Sequence, residues 1–311
     1  MMPALEPAAG PARAPATLPS APRRLVDFVA LTKPRVVAMV VLTTFFGYYL
    51  GAARGAFEWL RLTWTLAGTS LAAGGTLALN QYLERDRDAR MHRTRKRPLP
   101  EGRLAPADAL AFGIVLTAAG ILLLVAGSNL LAAAVTAATS VSYLFAYTPA
   151  KVRTPLSTLI GAVPGALPPL TGWAAASGDL GAAAWALFAI MFVWQIPHAL
   201  AIAQLYRDDY ARAGFRLLPV VDPDCISTAR YILTYSLTLL GVGMLPTLVG
   251  LAGPIYCAAS IILGCGMFAA AVRLARSAAT ADARRVMLAS LVYLPSLFLV
   301  MAADKLAAAP W

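Results

Sequence analysis

Nine times between residues 35 and 303 this chain runs for close to twenty residues with hardly a charge: 35–53, 62–82, 107–126, 128–146, 156–175, 181–203, 229–248, 251–271 and 285–303. A hydrocarbon core about 30 Å thick is crossed by roughly 20 helical residues at about 1.5 Å each, so every run has the length of a membrane span. In lipid each backbone amide needs a partner inside the protein, which leaves helices or a closed barrel. The runs are long and do not alternate strictly, and so they predict helices. The expected fold class is all-α, a polytopic membrane protein with nine transmembrane helices. Composition agrees: 59% of the 311 residues are apolar and 13% charged, where a soluble domain carries about 25% charged residues.

No block of soluble-domain size separates the runs, so 28–311 reads as one integral membrane domain. Ahead of it, 1–27 reads as a disordered cytoplasmic tail. Its stretch "PALEPAAGPARAPATLPSAP" is Ala/Pro-rich, lacks the apolar core of a secretory signal and has few bases for a transit peptide. A bacterial inner membrane is therefore the expected location. Cys225, Cys257 and Cys265 show no CxxC spacing and read as free thiols.

Basic loops stay in the cytoplasm. With nine spans, the side that holds the N-terminus carries 23 of the 26 Lys and Arg residues, and the other side only Arg54, Arg61 and Lys305. The N-terminus is expected in the cytoplasm and the C-terminus outside. The net charge of +11 is then a topology signal and a membrane-surface feature, and no nucleic-acid partner is expected.

At the cytoplasmic end of the second run stands "NQYLERDRDARMHRTRKRP", residues 80–98, with three acids among its bases. Asn80, Glu84 and Asp88 are spaced i, i+4, i+8, so on a continuing helix they share one face. A second acid pair, Asp208 and Asp209 in "QLYRDDYARAG", follows the sixth run. Runs two and six point the same way and lie four apart, as in parallel four-helix repeats, which would set the two acid clusters across one cavity. Carboxylates brought close together lose ionisation unless a cation holds them. Mg²⁺ suits such a site, because it takes oxygen ligands and is commonly bound by one or two carboxylates plus substrate phosphates. The interleaved Arg and Lys supply phosphate donors. The bland alternative for all of these charges is a solvated positive-inside loop. Acids for metal, bases for phosphate and an apolar cavity behind suit a diphosphate with a long hydrocarbon tail.

The 80–98 segment resembles the first aspartate-rich motif of the UbiA superfamily of intramembrane prenyltransferases: Asn, acids four and eight residues on, then Arg-Thr-x-x-Arg-Pro. Three further stretches, "LTKPRVV", "YTPAKVRTPLSTLIGAVPGALPPLTGWAA" and "FVWQIPHALAIAQLYRDDYARAGFRLLPVV", narrow the resemblance to the haem-farnesylating branch. It implies a bundle of two four-helix repeats plus one helix. The reaction it implies is transfer of farnesyl from farnesyl diphosphate to the 2-vinyl group of haem b, with Mg²⁺ as cofactor and the bilayer as surroundings; whether a haem A synthase docks is left open. Asn80, Glu84, Asp88, Asp208 and Asp209 are the expected metal and diphosphate residues, with Arg93, Arg97, Lys151 and Arg153 as diphosphate contacts. His198, in the Trp-x-x-Pro-His stretch, is expected either to act in the site or to bond helix to helix.

Departures from the family pattern are Glu84 where Asp is usual, Gln81 where the benzoate-prenylating relatives carry an acid, "PHALA" for Pro-His-Phe, and "AGFRLLP" for a Pro-Met-Leu-Pro-like sequence. Pro164, Pro168 and Pro169 with neighbouring glycines interrupt the fifth run, which suits a helix that lines a cavity. The stretch 20–34 is amphipathic and suits the membrane surface or a plain basic flank. A UbiA-like enzyme with another acceptor, a transporter and a haem-binding assembly protein are the competing classes. Transporters hold their polar residues near the midplane, whereas these acids sit at one end.

Overall fold

The computed structural model describes residues 21–53 and 56–306. Residues 1–20, most of the expected tail, lie outside it. The expected boundary at 27 is not a structural one, because Ala21–Leu31 forms helix α1. What holds it is specific: Asp27 accepts from Arg103 Nε at 3.0 Å, Arg24 reaches Asp108 at 2.9 Å, and Phe28 packs on Phe112 with ring centroids 5.0 Å apart. Leu25 and Val26, on the outer face, are 68% and 67% exposed, the pattern of a helix lying in a membrane interface.

The chain then reverses at Lys33 into α2 (Pro34–Gly51), and α3 follows (Trp59–Asp88). At 30 residues α3 is about 45 Å long, more than a bilayer core needs, so its last turns project beyond the apolar zone. After α4 (Pro106–Gly127), the fourth run is one rod in three parts: α5 (Leu130–Val141), a π turn (Ser142–Tyr147) and α6 (Thr148–Arg153). The fifth run is two ten-residue helices, α7 (Ser157–Ala166) and α8 (Pro168–Ser177), broken at Leu167 ahead of Pro168 and Pro169, where ring closure removes two amide donors. Then come α9 (Ala182–Leu205), the short α10 (Arg207–Arg212) and α11 (Leu218–Val221), α12 (Ile226–Gly243) with α13 (Leu245–Leu248), α14 (Pro254–Ser277) and α15 (Thr280–Ala303). Among the described residues there is no strand, only an isolated bridge between Ala252 and Lys305.

By length and apolarity seven of these rods suffice to cross a membrane: α2, α4, α5–α6, α9, α12–α13, α14 and α15. The two remaining expected spans fall short for separate reasons. α3 is long but carries the polar stripe, and α7–α8 is broken.

Helix α9 is the centre of the bundle, with Leu187, Ile190, Ile196 and Leu200 buried against α7, α12 and α15. Elsewhere small residues let backbones touch. A Cβ on Gly47 of α2 would lie 2.0 Å from the Pro169 carbonyl oxygen, and one on Gly172 of α8 would lie 1.9 Å from that of Thr44. Without a hydrophobic drive between helices in lipid, such close packing supplies much of the association.

Candidate active site

One face of α3 builds both the cavity wall and the polar site. Thr69, Ala73, Thr76 and Leu77 line a cavity of about 450 Å³, and the same face continues through Asn80, Glu84 and Asp88. All three of these are buried, at 1%, 5% and 1% exposure, which polar groups tolerate only when they are partnered. Each finds a partner on a different element. Lys33 Nζ donates to Asn80 Oδ1 at 3.2 Å, Lys151 Nζ to Glu84 Oε1 at 2.8 Å, and an Arg97 guanidinium nitrogen to Asp88 Oδ2 at 2.6 Å. Asn80 also donates to Thr148 Oγ1 at 3.2 Å, and Thr94 Oγ1 donates to the Asp88 carbonyl at 2.7 Å.

Local backbone irregularities aim these partners. Lys33 sits at φ 50°, ψ 67°, a left-handed conformation that disfavours a side chain bearing Cβ, and from there its ammonium reaches α3. The π turn ahead of Thr148 inserts an extra residue into the helical repeat and so changes the face that Thr148 and Lys151 present. Lys151 lies over the Tyr147 ring, 4.5 Å from its centroid, a favourable cation–π placement. Burial, followed by the nearby Arg97 and Lys151 charges, lowers the Lys33 pKa to about 7. Three bases face two carboxylates and an amide here, an imbalance that an anion would relieve.

The second acid pair divides. Asp209 is buried and accepts from the backbone amides of His92 at 3.2 Å and Arg93 at 3.3 Å, and from Arg212. Desolvation works against its charge, but those donors outweigh it and hold the carboxyl below its ordinary range. Asp208 is exposed and pairs with no described residue. Asp209 thus clamps the loop after α3 onto α10, and the Arg216 amide donates to the Lys151 carbonyl at 2.7 Å, so three segments form one cover over the stripe. Two acid sets gathered around one ion are not what this arrangement presents: among the described residues no three His, Cys, Asp or Glu side chains are grouped to hold a metal. Arg93 stacks on Tyr206 and bonds Tyr210 Oη at 3.1 Å, while Arg153 points to the exterior.

His198 lines the cavity from α9. Its Nδ1 lies 2.6 Å from Ser290 Oγ, and its ring stacks on Trp194 at 4.9 Å between centroids. Pro164, Gly165 and Pro168 line the same cavity at the break between α7 and α8, as do the hydroxyl residues Thr43, Thr136, Thr139, Ser140 and Thr171.

A model of the UbiA prenyltransferase family matches residues 40–298. This chain belongs to that family. Among similar proteins, the protoheme IX farnesyltransferase of Solibacter usitatus is 46% identical over 287 residues, covering 90% of this chain and 98% of the relative. That of Koribacter versatilis is 45% identical over 292 residues, covering 90% and 94%. Among solved structures, a digeranylgeranylglyceryl phosphate synthase superposes with a TM-score of 0.75 at 14% identity, over 91% of this chain and 98% of the other. A UbiA homologue from Archaeoglobus fulgidus bound to GPP and Mg²⁺ gives 0.60 at 13% identity, over 89% and 99%. At such identities the likeness is one of fold.

Lys33, Thr148 and Ser290 were not among the expected site residues. Lys33 and Thr148 lie in the quoted "LTKPRVV" and "YTPAKVR" stretches, but Ser290 stands in an apolar run with nothing around it to mark it. Gln81 is placed by its fold role: its amide donates to the Leu31 carbonyl at 2.8 Å, satisfying an end of α1 that the helix itself leaves open.

Proposed function

We propose that this chain transfers the farnesyl group of farnesyl diphosphate to a vinyl group of protohaem IX, with addition of water, to give haem O. The reading draws on relatives so named that match almost end to end. The observation that carries it is the α3 face, where a cavity wall runs without a break into a buried stripe of oxygens, each held by a base. The tail of a prenyl diphosphate and its head need those two environments side by side.

Asn80 Oδ1 and the carboxylates of Glu84 and Asp88 are hard oxygen donors on one face, with Lys33, Lys151 and Arg97 already within hydrogen-bond reach. That set fits a magnesium diphosphate, because Mg²⁺ takes only one or two carboxylates and completes its shell with phosphate oxygens and water. Asn80, Glu84 and Asp88 would hold the ion, with Asp209 setting the cover. Mg²⁺, when bound, supplies charge that stabilises the leaving diphosphate. Lys33, Lys151 and Arg97 then serve the same oxygens as preorganised donors, which lowers the barrier because negative charge grows there as the allylic C–O bond breaks. The apolar wall keeps bulk water from the farnesyl cation until the vinyl carbon captures it.

The basic loops support a cytoplasmic site, with the N-terminus on the same side and the C-terminus opposite, in a bacterial inner membrane. Nine crossings then follow, with α3 and the α7–α8 pair passing through on the strength of their neighbours. The test is turnover: purified protein with haem b, farnesyl diphosphate and Mg²⁺, the product weighed by mass spectrometry. A farnesyl-plus-water adduct that vanishes with EDTA is expected; haem recovered unchanged from folded protein would falsify the proposal.

A further inference from the structure

The proposed reaction consumes water, and the proton of that water has to leave an apolar cavity. After the vinyl π pair has bonded to farnesyl C1, a cation remains beside the porphyrin; a water oxygen closes onto it, forming a C–O bond and releasing one proton. Among the described residues that line the cavity, the ionisable or polar groups are Arg35, Tyr143, Trp194, Gln195, His198 and the Ser/Thr hydroxyls. Arg35 stays protonated, indole, amide and hydroxyl groups are not bases near neutrality, and the phenol is itself an acid. Only an imidazole is left.

The hydrogen bonds around that imidazole fix which nitrogen is free. Ser290 has one hydroxyl proton, and Oγ lies 2.6 Å from the Met287 carbonyl, which only accepts. The proton shared between Ser290 Oγ and His198 Nδ1, also 2.6 Å apart, therefore belongs to Nδ1. Neutral His198 then carries its lone pair on Nε2, which has no partner among the described residues. Trp194 locks the arrangement twice: its ring stacks on His198 at an interplanar angle of 15°, and its Nε1 donates to the Ser290 carbonyl at 2.9 Å.

Resting on the farnesyl-transfer reading, the geometry points to His198 Nε2 as the base that takes the proton of the adding water, with Ser290 as the positioning residue that fixes its tautomer. Without that base the cation loses a carbon-bound proton instead, giving an adduct lighter by one water. The experiment measures hydrated and anhydrous farnesyl adducts for the wild type, His198→Gln, Ser290→Ala and Ser290→Thr. Gln keeps an N–H for Ser290 but has no basic nitrogen. The hydrated-to-anhydrous ratio is expected to fall by about 10²-fold in His198→Gln, the size of a general-base contribution. It should fall in the same direction by less in Ser290→Ala, and recover in Ser290→Thr. Exogenous imidazole added to His198→Ala is expected to restore hydration. An unchanged ratio in both His198→Gln and Ser290→Ala overturns the inference and leaves the diphosphate as proton acceptor, whereas a wild type that makes no adduct at all overturns the underlying reading instead.

Discussion

At the scale of single residues, the stripe on α3 is a set of pairs whose members are worth little apart. Glu84 and Lys151 have side chains 7% and 12% exposed, and removing one partner of a buried pair typically costs about 3–5 kcal/mol because the other charge is stranded. Glu84→Gln is therefore expected to lower thermal stability as well as turnover, and Glu84→Gln with Lys151→Met to recover part of the stability but none of the activity. Circular dichroism melts and product assays on the three proteins check this. Lys33 is a different case, since its amide partner carries no charge. Lys33→Ala should raise KM for farnesyl diphosphate about tenfold or more, with kcat falling less, if the ammonium binds ground-state diphosphate. Equal losses in kcat and kcat/KM would place its contribution in the transition state alone. The sequence made Asn80, Glu84 and Asp88 visible, because a four-residue period names a helix face. It could not separate Asp208 from Asp209: neighbours on a helix point about 100° apart, and only the loop after α3 decides which is buried.

At the scale of elements, irregularities position the site. The left-handed turn at Lys33, the π turn before Thr148 and the break at Leu167 each redirect a chain that would otherwise continue as a regular rod. The prolines of α8 announced the last of these, but the π turn in "SYLFAY" has no local signature, because its cause is the packing of neighbouring helices. Nor could the sequence place α1, whose attachment runs through Asp27 and Arg103, far apart along the chain. Close helix contact is as sharp a constraint. Gly47→Ala is expected to push α2 from α8, since its new methyl would meet the Pro169 backbone, and overpacking of this kind costs about 1–3 kcal/mol. Gly181→Ala, where a Cβ meets nothing within 4 Å, is the matched control and should melt as the wild type does.

At the scale of the whole molecule, polarity is graded along the bundle: an apolar and hydroxyl-lined cavity in the middle, ion pairs at one end, and a cover of loops drawn together by Asp209, Thr94 and Arg216. Membrane class and the polar end were legible because they rest on hydropathy and charge counts. The closure of the cover was not, since it depends on backbone amides at 92, 93 and 216 whose partners no residue type encodes. The same grading places head and tail of a prenyl diphosphate in one orientation only. The most direct test is a titration of farnesyl diphosphate against the purified protein with and without Mg²⁺, for the wild type, Asp88→Asn and Asp208→Asn. The account predicts that Mg²⁺ tightens binding about tenfold or more in the wild type and in Asp208→Asn, and that this gain disappears in Asp88→Asn. Binding that ignores both Mg²⁺ and Asp88 would contradict it.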